Sequence, residues 1–444
     1  MRSHSGGDVL LAHGVGTRAD LPIPISSAIT AAAFAVLVSF LALGVLWPRP
    51  RLRGGAAGRP LPVAVQRVVD SRVTTAALRL AALALALLVT AVALVGPADP
   101  PANLAPYAFY VTFWVGLVPA SLLLGPVWRR LNPLRTVHAV MARVTGPAPG
   151  EDALPRLGWW PAAVALLAYT WLELAYPGRQ DPRHIALFLL AYSLAQLLAA
   201  LWFGAGWFAR ADGFEVYSTL LGRLAPLGRR DDGRLVLRSP LDGAAGLRTE
   251  RGLAAVVVVL VGSTAFDGLT RTTYWQNGPG NAGDARSLPQ TLGLALMVAL
   301  VAGLYVGATA LAGWLSGIRD GPAEYAHSVI PIAAGYAIAH YFSLLLLDGQ
   351  QTWILASDPF GRGADLFGTA ANVVDYRAVS PRTISTVQVL AIVVGHVLGV
   401  VLAHDRAVRL GQRAGPVRAR TSQYPLLAVM VTFTVGGLVL LLGG

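Results

Sequence analysis

Residues 77–97 read ALRLAALALALLVTAVALVGP, and the single charge among them is Arg79 near the start. A helix rises about 1.5 Å per residue, so a stretch of this length matches the roughly 30 Å hydrocarbon core of a bilayer. Working outward, nine further stretches have the same character: 26–47, 105–125, 159–176, 184–206, 252–270, 290–316, 324–348, 383–403 and 424–442. The sequence therefore predicts an all-α, polytopic transmembrane helical bundle of about ten spans, with 26–442 as a single transmembrane domain. Composition agrees. Of 444 residues, 55 % are hydrophobic and 13 % charged, against about 25 % charged in soluble domains. Mean hydropathy is +0.57. Trp47, Trp159, Trp160, Tyr176 and Trp275 stand at span ends, as interfacial aromatics do.

All 35 basic residues are Arg. With the N-terminus outside, the inward segments 48–76, 125–158, 207–251, 317–323 and 404–423 hold 25 of them, and the outward segments hold 9. That bias predicts both termini outside a bacterial cytoplasmic (inner, plasma) membrane. Abundant Ala, Gly, Pro, Val and Arg fit a GC-rich bacterial genome. The net charge of +12 is dispersed between apolar spans, so the expected partner is the lipid bilayer and not nucleic acid. The extracytoplasmic segment 1–25 has no basic region running directly into an apolar one and a cleavage site, so 26–47 is expected to be a retained anchor. Cys is absent, which excludes disulfides, thiolate nucleophiles and Cys-zinc sites.

Two connections are long. In 207–251, Phe214, Tyr217, Leu220, Leu221 and Leu224 recur at spacings of three and four, which predicts an amphipathic helix on the cytoplasmic membrane face. Arg234–Arg238 alternates like a short strand. The extracytoplasmic segment 349–382 mixes Asp358, Asp365 and Asp375 with Trp353, Phe360 and Phe367, a candidate cap over a site that opens outward.

Ionisable residues inside spans mark functional sites by default, because lipid makes them costly. Asp267 has Arg271 at i+4, ion-pair spacing on a helix. The eighth span carries His327, Pro331, His340 and Asp348, and Pro331 should interrupt its helix. At 100° per residue, His340 and Asp348 lie about 80° apart and roughly 12 Å along the axis, able to line one outward cavity. His396 adjoins Gly395 and Gly399, a small-residue face suited to close helix packing. His404, Asp405 and Glu173 sit near span ends, where structural roles are the ordinary ones. HExxH, His-x-His, Walker A and dinucleotide patterns are all missing.

Several islands are similar to a family of actinobacterial-type membrane proteins, the fenitrothion hydrolases. They include Ala12–Gly16 with Asp20–Pro24, Gly125–Arg129 with Asn132–Thr136, Phe214–Ser218 and Thr264–Gly268. Pro331–Ala333 with Ala339–Ser343, Asp358–Gly361 with Leu366–Thr369, Gly395–Val397 and Ala403–Arg406 complete the set. The resemblance implies a membrane-embedded hydrolase of organophosphate-type esters and brings no catalytic residue set with it.

Three functions follow as expectations. A hydrolase acting on a small-molecule ester would use His340, Asp348, Asp267 and Arg271, with His13 and 349–382 closing the site. Its cofactor would be a divalent metal, with His340, Asp348 and His396 as candidate ligands. A proton-coupled transporter or permease would use Asp267, His340, His396 and His327 as relay groups. A non-catalytic assembly factor would instead satisfy these groups across helices beside a membrane-protein partner.

Overall fold

The computed structural model describes residues 24–281, 287–317, 320–414 and 421–442. His13 and nearly all of the 1–25 segment lie outside them. In chain order the main helices are α1 (Ile25–Leu46), α2 (Val63–Asp70), α3 (Arg72–Val95), α4 (Leu104–Leu124), α5 (Pro133–Thr145), α6 (Trp160–Leu174) and α7 (Pro182–Phe203). They continue as α8 (Gly213–Leu221), α9 (Leu253–Thr270), α10 (Ser287–Ser316), α11 (Ile330–Leu347), α12 (Gly349–Ala356), α13 (Pro381–Ala414) and α14 (Gln423–Leu442).

Among the described residues, nine helical runs are long and apolar enough to cross a membrane. The chain is an all-α, multi-pass membrane protein. The expected fourth span is the exception, because α6 has only 15 residues and rises about 22 Å. It packs along α9. It begins against Gly252, where a Cβ would come 2.5 Å from the Trp160 nitrogen. It ends at Glu173, whose surroundings include Asp267 near the far end of α9.

Burial sorts the spans. The apolar window of α3 is 11 % buried, whereas that of the 321–356 run is 72 % and that of α9 61 %. Leu85, Leu187, Leu296 and Trp314 point outward from α3, α7 and α10, as side chains do when the solvent is lipid. The α9 and α11 helices form the centre, and it is there that polar side chains are sequestered.

The 321–356 run breaks where Pro331 predicts. Residues Ala326–Val329 form a 3-10 turn, and Pro331 occupies the first turn of α11, where its missing N–H costs no hydrogen bond. The α11 and α13 helices then cross at almost backbone contact. A Cβ on Gly335 would lie 2.3 Å from the Ala391 carbonyl oxygen, and one on Gly395 would lie 2.6 Å from that of Pro331. Only glycine fits this crossing.

The 207–251 connection departs from expectation. A helix forms, but α8 buries Phe214, Glu215, Val216, Tyr217, Ser218, Leu220 and Leu221, so it does not lie on a membrane face. Phe214 inserts among Phe109, Phe113, Trp114, Tyr169 and Tyr192, with ring centroids 5.1–6.3 Å away. The polar residues of α8 are sequestered as well, with Glu215 held by Arg135 and Ser218 bonded to Ser121. The expected strand is present: β2 (Leu227–Arg229) and β3 (Leu235–Leu237) pair antiparallel, with Gly228 opposite Val236, and β1 (Arg59–Pro60) adds to the other edge of β3.

Candidate functional site

The α9 and α11 helices bring together residues 73 positions apart. Asp267 Oδ2 meets His340 Nε2, and both side chains are almost completely buried. Arg271, one turn beyond Asp267, places Nη2 3.0 Å from the same His340 nitrogen. The Tyr341 hydroxyl donates to Asp267 Oδ2 at 3.3 Å. Tyr336 stacks on the imidazole with centroids 5.8 Å apart, and Tyr341 meets it edge-on at 4.8 Å. The rings fix the imidazole plane.

One nitrogen therefore faces a carboxylate and a guanidinium. If Nε2 carries a proton, it donates to Asp267 and cannot accept from Arg271. If Nε2 is bare, it accepts from Arg271, and Asp267 is best accommodated with a proton of its own. With a neutral imidazole, the first arrangement joins the Nε2–H tautomer to an ionised Asp267 and the second joins the Nδ1–H tautomer to a protonated one, so the two differ by one proton. Inside a low-dielectric bundle, that choice decides which hydrogen bonds exist.

A cavity of about 40 Å³ lies beside the pair, lined by Asp267, Tyr341, Glu173 and Arg179 together with Tyr107 and Tyr110 of α4. A water molecule needs about 10–15 Å³ on this measure, so the space suits a few waters. A smaller cavity of about 10 Å³ shares Glu173 and Tyr341 with it and is lined also by Tyr217 of α8, Trp114 and Ser263. Residues Tyr107–Val115 of α4 are wound as a π-helix, closed by a Gly116 N–H donating to the Val111 carbonyl at 3.1 Å. Such widened turns recur at functional sites, and this one supplies three aromatic walls, Tyr107, Tyr110 and Trp114.

The other candidates lie elsewhere. Asp348 is buried at the junction of α11 and α12, where it acts on Tyr107 and Tyr376. His396 Nδ1 lies 2.8 Å from the Ile392 carbonyl of its own helix. His327 sits in the 3-10 turn that precedes α11, whereas His340 lies within that helix. His404 and Asp405 clasp the chain after α1: His404 Nε2 lies 3.0 Å from the Trp47 carbonyl, and Asp405 Oδ1 accepts from Trp47 Nε1 at 3.0 Å and from the Arg51 N–H at 2.7 Å. No residue of 349–382 lines the cavity beside Asp267.

His340, Asp348 and His396 do not form a ligand set. Among the described residues, no three His, Asp or Glu side chains are grouped to hold a metal ion. The Arg271 guanidinium also stands where a cation on His340 Nε2 would go. This donor set does not fit a divalent metal.

Sequence reading missed a second polar network around α8. Asp212 caps that helix, accepting from the Phe214 N–H at 3.0 Å and the Tyr192 hydroxyl at 2.8 Å. Asn132 donates to Asp212 at 2.7 Å, and Arg135 grips Glu215 through Nε at 2.8 Å and Nη2 at 2.6 Å. The signal was present in Asn132-Pro133, an N-cap followed by proline, and in Asp212 three residues before Glu215, a capping box with acidic side chains. Burial pushes the Asp212 carboxyl up to about 6, reinforced by the nearby Glu215 charge. The network anchors α8 at the arginine-rich end of the bundle.

The fold and site define a class: a multi-pass membrane protein with a buried carboxylate–imidazole pair, joined by a half-buried guanidinium, beside a water-sized cavity. Compared with protein-family models, curated proteins and solved structures, the chain gives no match.

Proposed function

We propose that this protein is a proton-coupled carrier of a bacterial cytoplasmic membrane, with Asp267 and His340 as the pair that binds and releases the proton. One observation supports the reading above the others: a single imidazole nitrogen is shared by a carboxylate and a guanidinium, so gain or loss of a proton exchanges its partner. The exchange would change what joins α9 to α11, the two central helices, which is the coupling a carrier needs. The arginine-rich end would face the cytoplasm.

The test uses the proton itself as probe. Protein reconstituted on a solid-supported membrane and given a step in pH should displace charge transiently. Asp267→Asn and His340→Gln should each remove that current. An undiminished current in both variants overturns the reading.

The resemblance to fenitrothion hydrolases supports a second reading, because a carboxylate-held imidazole beside water could act as a general base on an ester. A cavity of about 40 Å³ is too small for a phosphotriester, so this activity requires a more open conformation. Absence of turnover of a chromogenic phosphotriester, with and without divalent metal, removes it.

A further inference from the structure

Glu173 is a half-buried acid that the pair described above does not use. It lies in the last turn of α6, a helix of only 15 residues, and lines the same cavity as Asp267. Glu173 lines both cavities, and so does Tyr341. The groups that face it are Asp267 from α9, Tyr341 from α11, Tyr217 from α8, Tyr110 from α4, Tyr169 from its own helix and Arg179 from the connection after it. Two carboxyl groups thus border one enclosure with room for water. Like charges in such a space repel, and a proton held by either relieves the repulsion.

We propose that Glu173 is a second proton-binding residue, exchanging its proton with the Asp267–His340 pair through the cavity between them and extending the route toward α8. This rests on the proton-exchange reading of that pair. In the step, the Glu173 carboxyl gives a proton to cavity water, and that water gives one to Asp267 Oδ2. No carbon bond breaks and no electron moves. The Tyr341 hydroxyl, bonded to Asp267 Oδ2 and bordering both cavities, positions the water. Beyond Glu173 the smaller cavity leads to Tyr217, and Ser218, next along α8, is 2.8 Å from Ser121. The polar residues thus step from Asp267 toward the arginine-rich end.

Infrared difference spectra of the full-length protein in lipid, recorded across a pH titration, test this. Apart from the band of Asp212, which Asp212→Asn identifies, the wild type should show two protonated-carboxyl bands that respond to substitution of Glu173 or Asp267. Glu173→Gln should abolish one and lower the titration midpoint of the other by about one pH unit, because a neighbouring negative charge is gone. Glu173→Asp, which keeps the acid, should retain both bands with one displaced, guarding against a Gln variant that does not fold. Both bands persisting unmoved in Glu173→Gln overturns the proposal. Asp267→Asn reports separately. If it leaves the spectrum unaltered while Glu173→Gln removes a band, the proton-exchange pair is wrong and Glu173 titrates alone, which also ends the exchange proposed here.

Discussion

Arg271 Nη2 stands 3.0 Å from His340 Nε2, the nitrogen that also meets Asp267, so the imidazole separates a buried carboxylate from a guanidinium. Removing it leaves both charges without their common partner. His340→Ala should destabilise the protein by about 3–5 kcal/mol, read as a lowered thermal midpoint in detergent. His340→Gln, which can donate or accept, should lose less. Equal losses would mean the site is held by packing alone.

Asp212 makes stability depend on pH. Its carboxyl rises from 3.8 to about 6 in the folded protein, first through burial and then through Glu215. The folded state therefore binds the proton more tightly than the unfolded one. The stabilisation is complete below the unfolded value and is lost as pH climbs through about 6, a change of roughly 3 kcal/mol across the window. Thermal midpoints of the wild type and Asp212→Asn, compared at several pH values, should diverge across that range. Parallel profiles would contradict this.

The crossing of α11 and α13 tolerates no side chain at Gly335. A methyl group there would meet the Ala391 carbonyl oxygen at 2.3 Å, so Gly335→Ala should cost about 1–3 kcal/mol and Gly335→Val should prevent a monodisperse fold. Size-exclusion profiles after extraction report this. A normal profile for the valine variant would show that the helices can separate.

How much of this could be read in advance follows from the range of each interaction. Spans are local sums of hydropathy, so 105–125 anticipates α4 and 184–206 anticipates α7 to within a few residues. Asp267 and His340 could be singled out as costly in lipid, but which of them meet depends on how helices cross. Angular spacing along one helix allowed His340 and Asp348 to line one cavity, whereas the residue that His340 meets is Asp267 of another helix. Glu173 read as interfacial because it ends its apolar stretch, and only the packing of α6 along α9 sets it on the same cavity as Asp267. The pattern around Phe214 was helical, but nothing within α8 revealed the ring cluster awaiting it.

Orientation is open to direct chemistry because the chain has no Cys. Ala370 and Ser239 are both exposed, at opposite ends of the bundle. A membrane-impermeant maleimide added to intact spheroplasts should label Ala370→Cys and spare Ser239→Cys until the membrane is permeabilised. The reverse pattern would invert the topology.

The most direct test of the central claim is nitrogen NMR of the imidazoles in lipid-embedded protein, with the His340 signal assigned by its loss in His340→Gln. As pH is lowered, His340 Nε2 should pass between a proton-bearing and a bare form, and Asp267→Asn should abolish that passage. An Nε2 signal that holds one form throughout, in wild type and variant alike, would contradict the account.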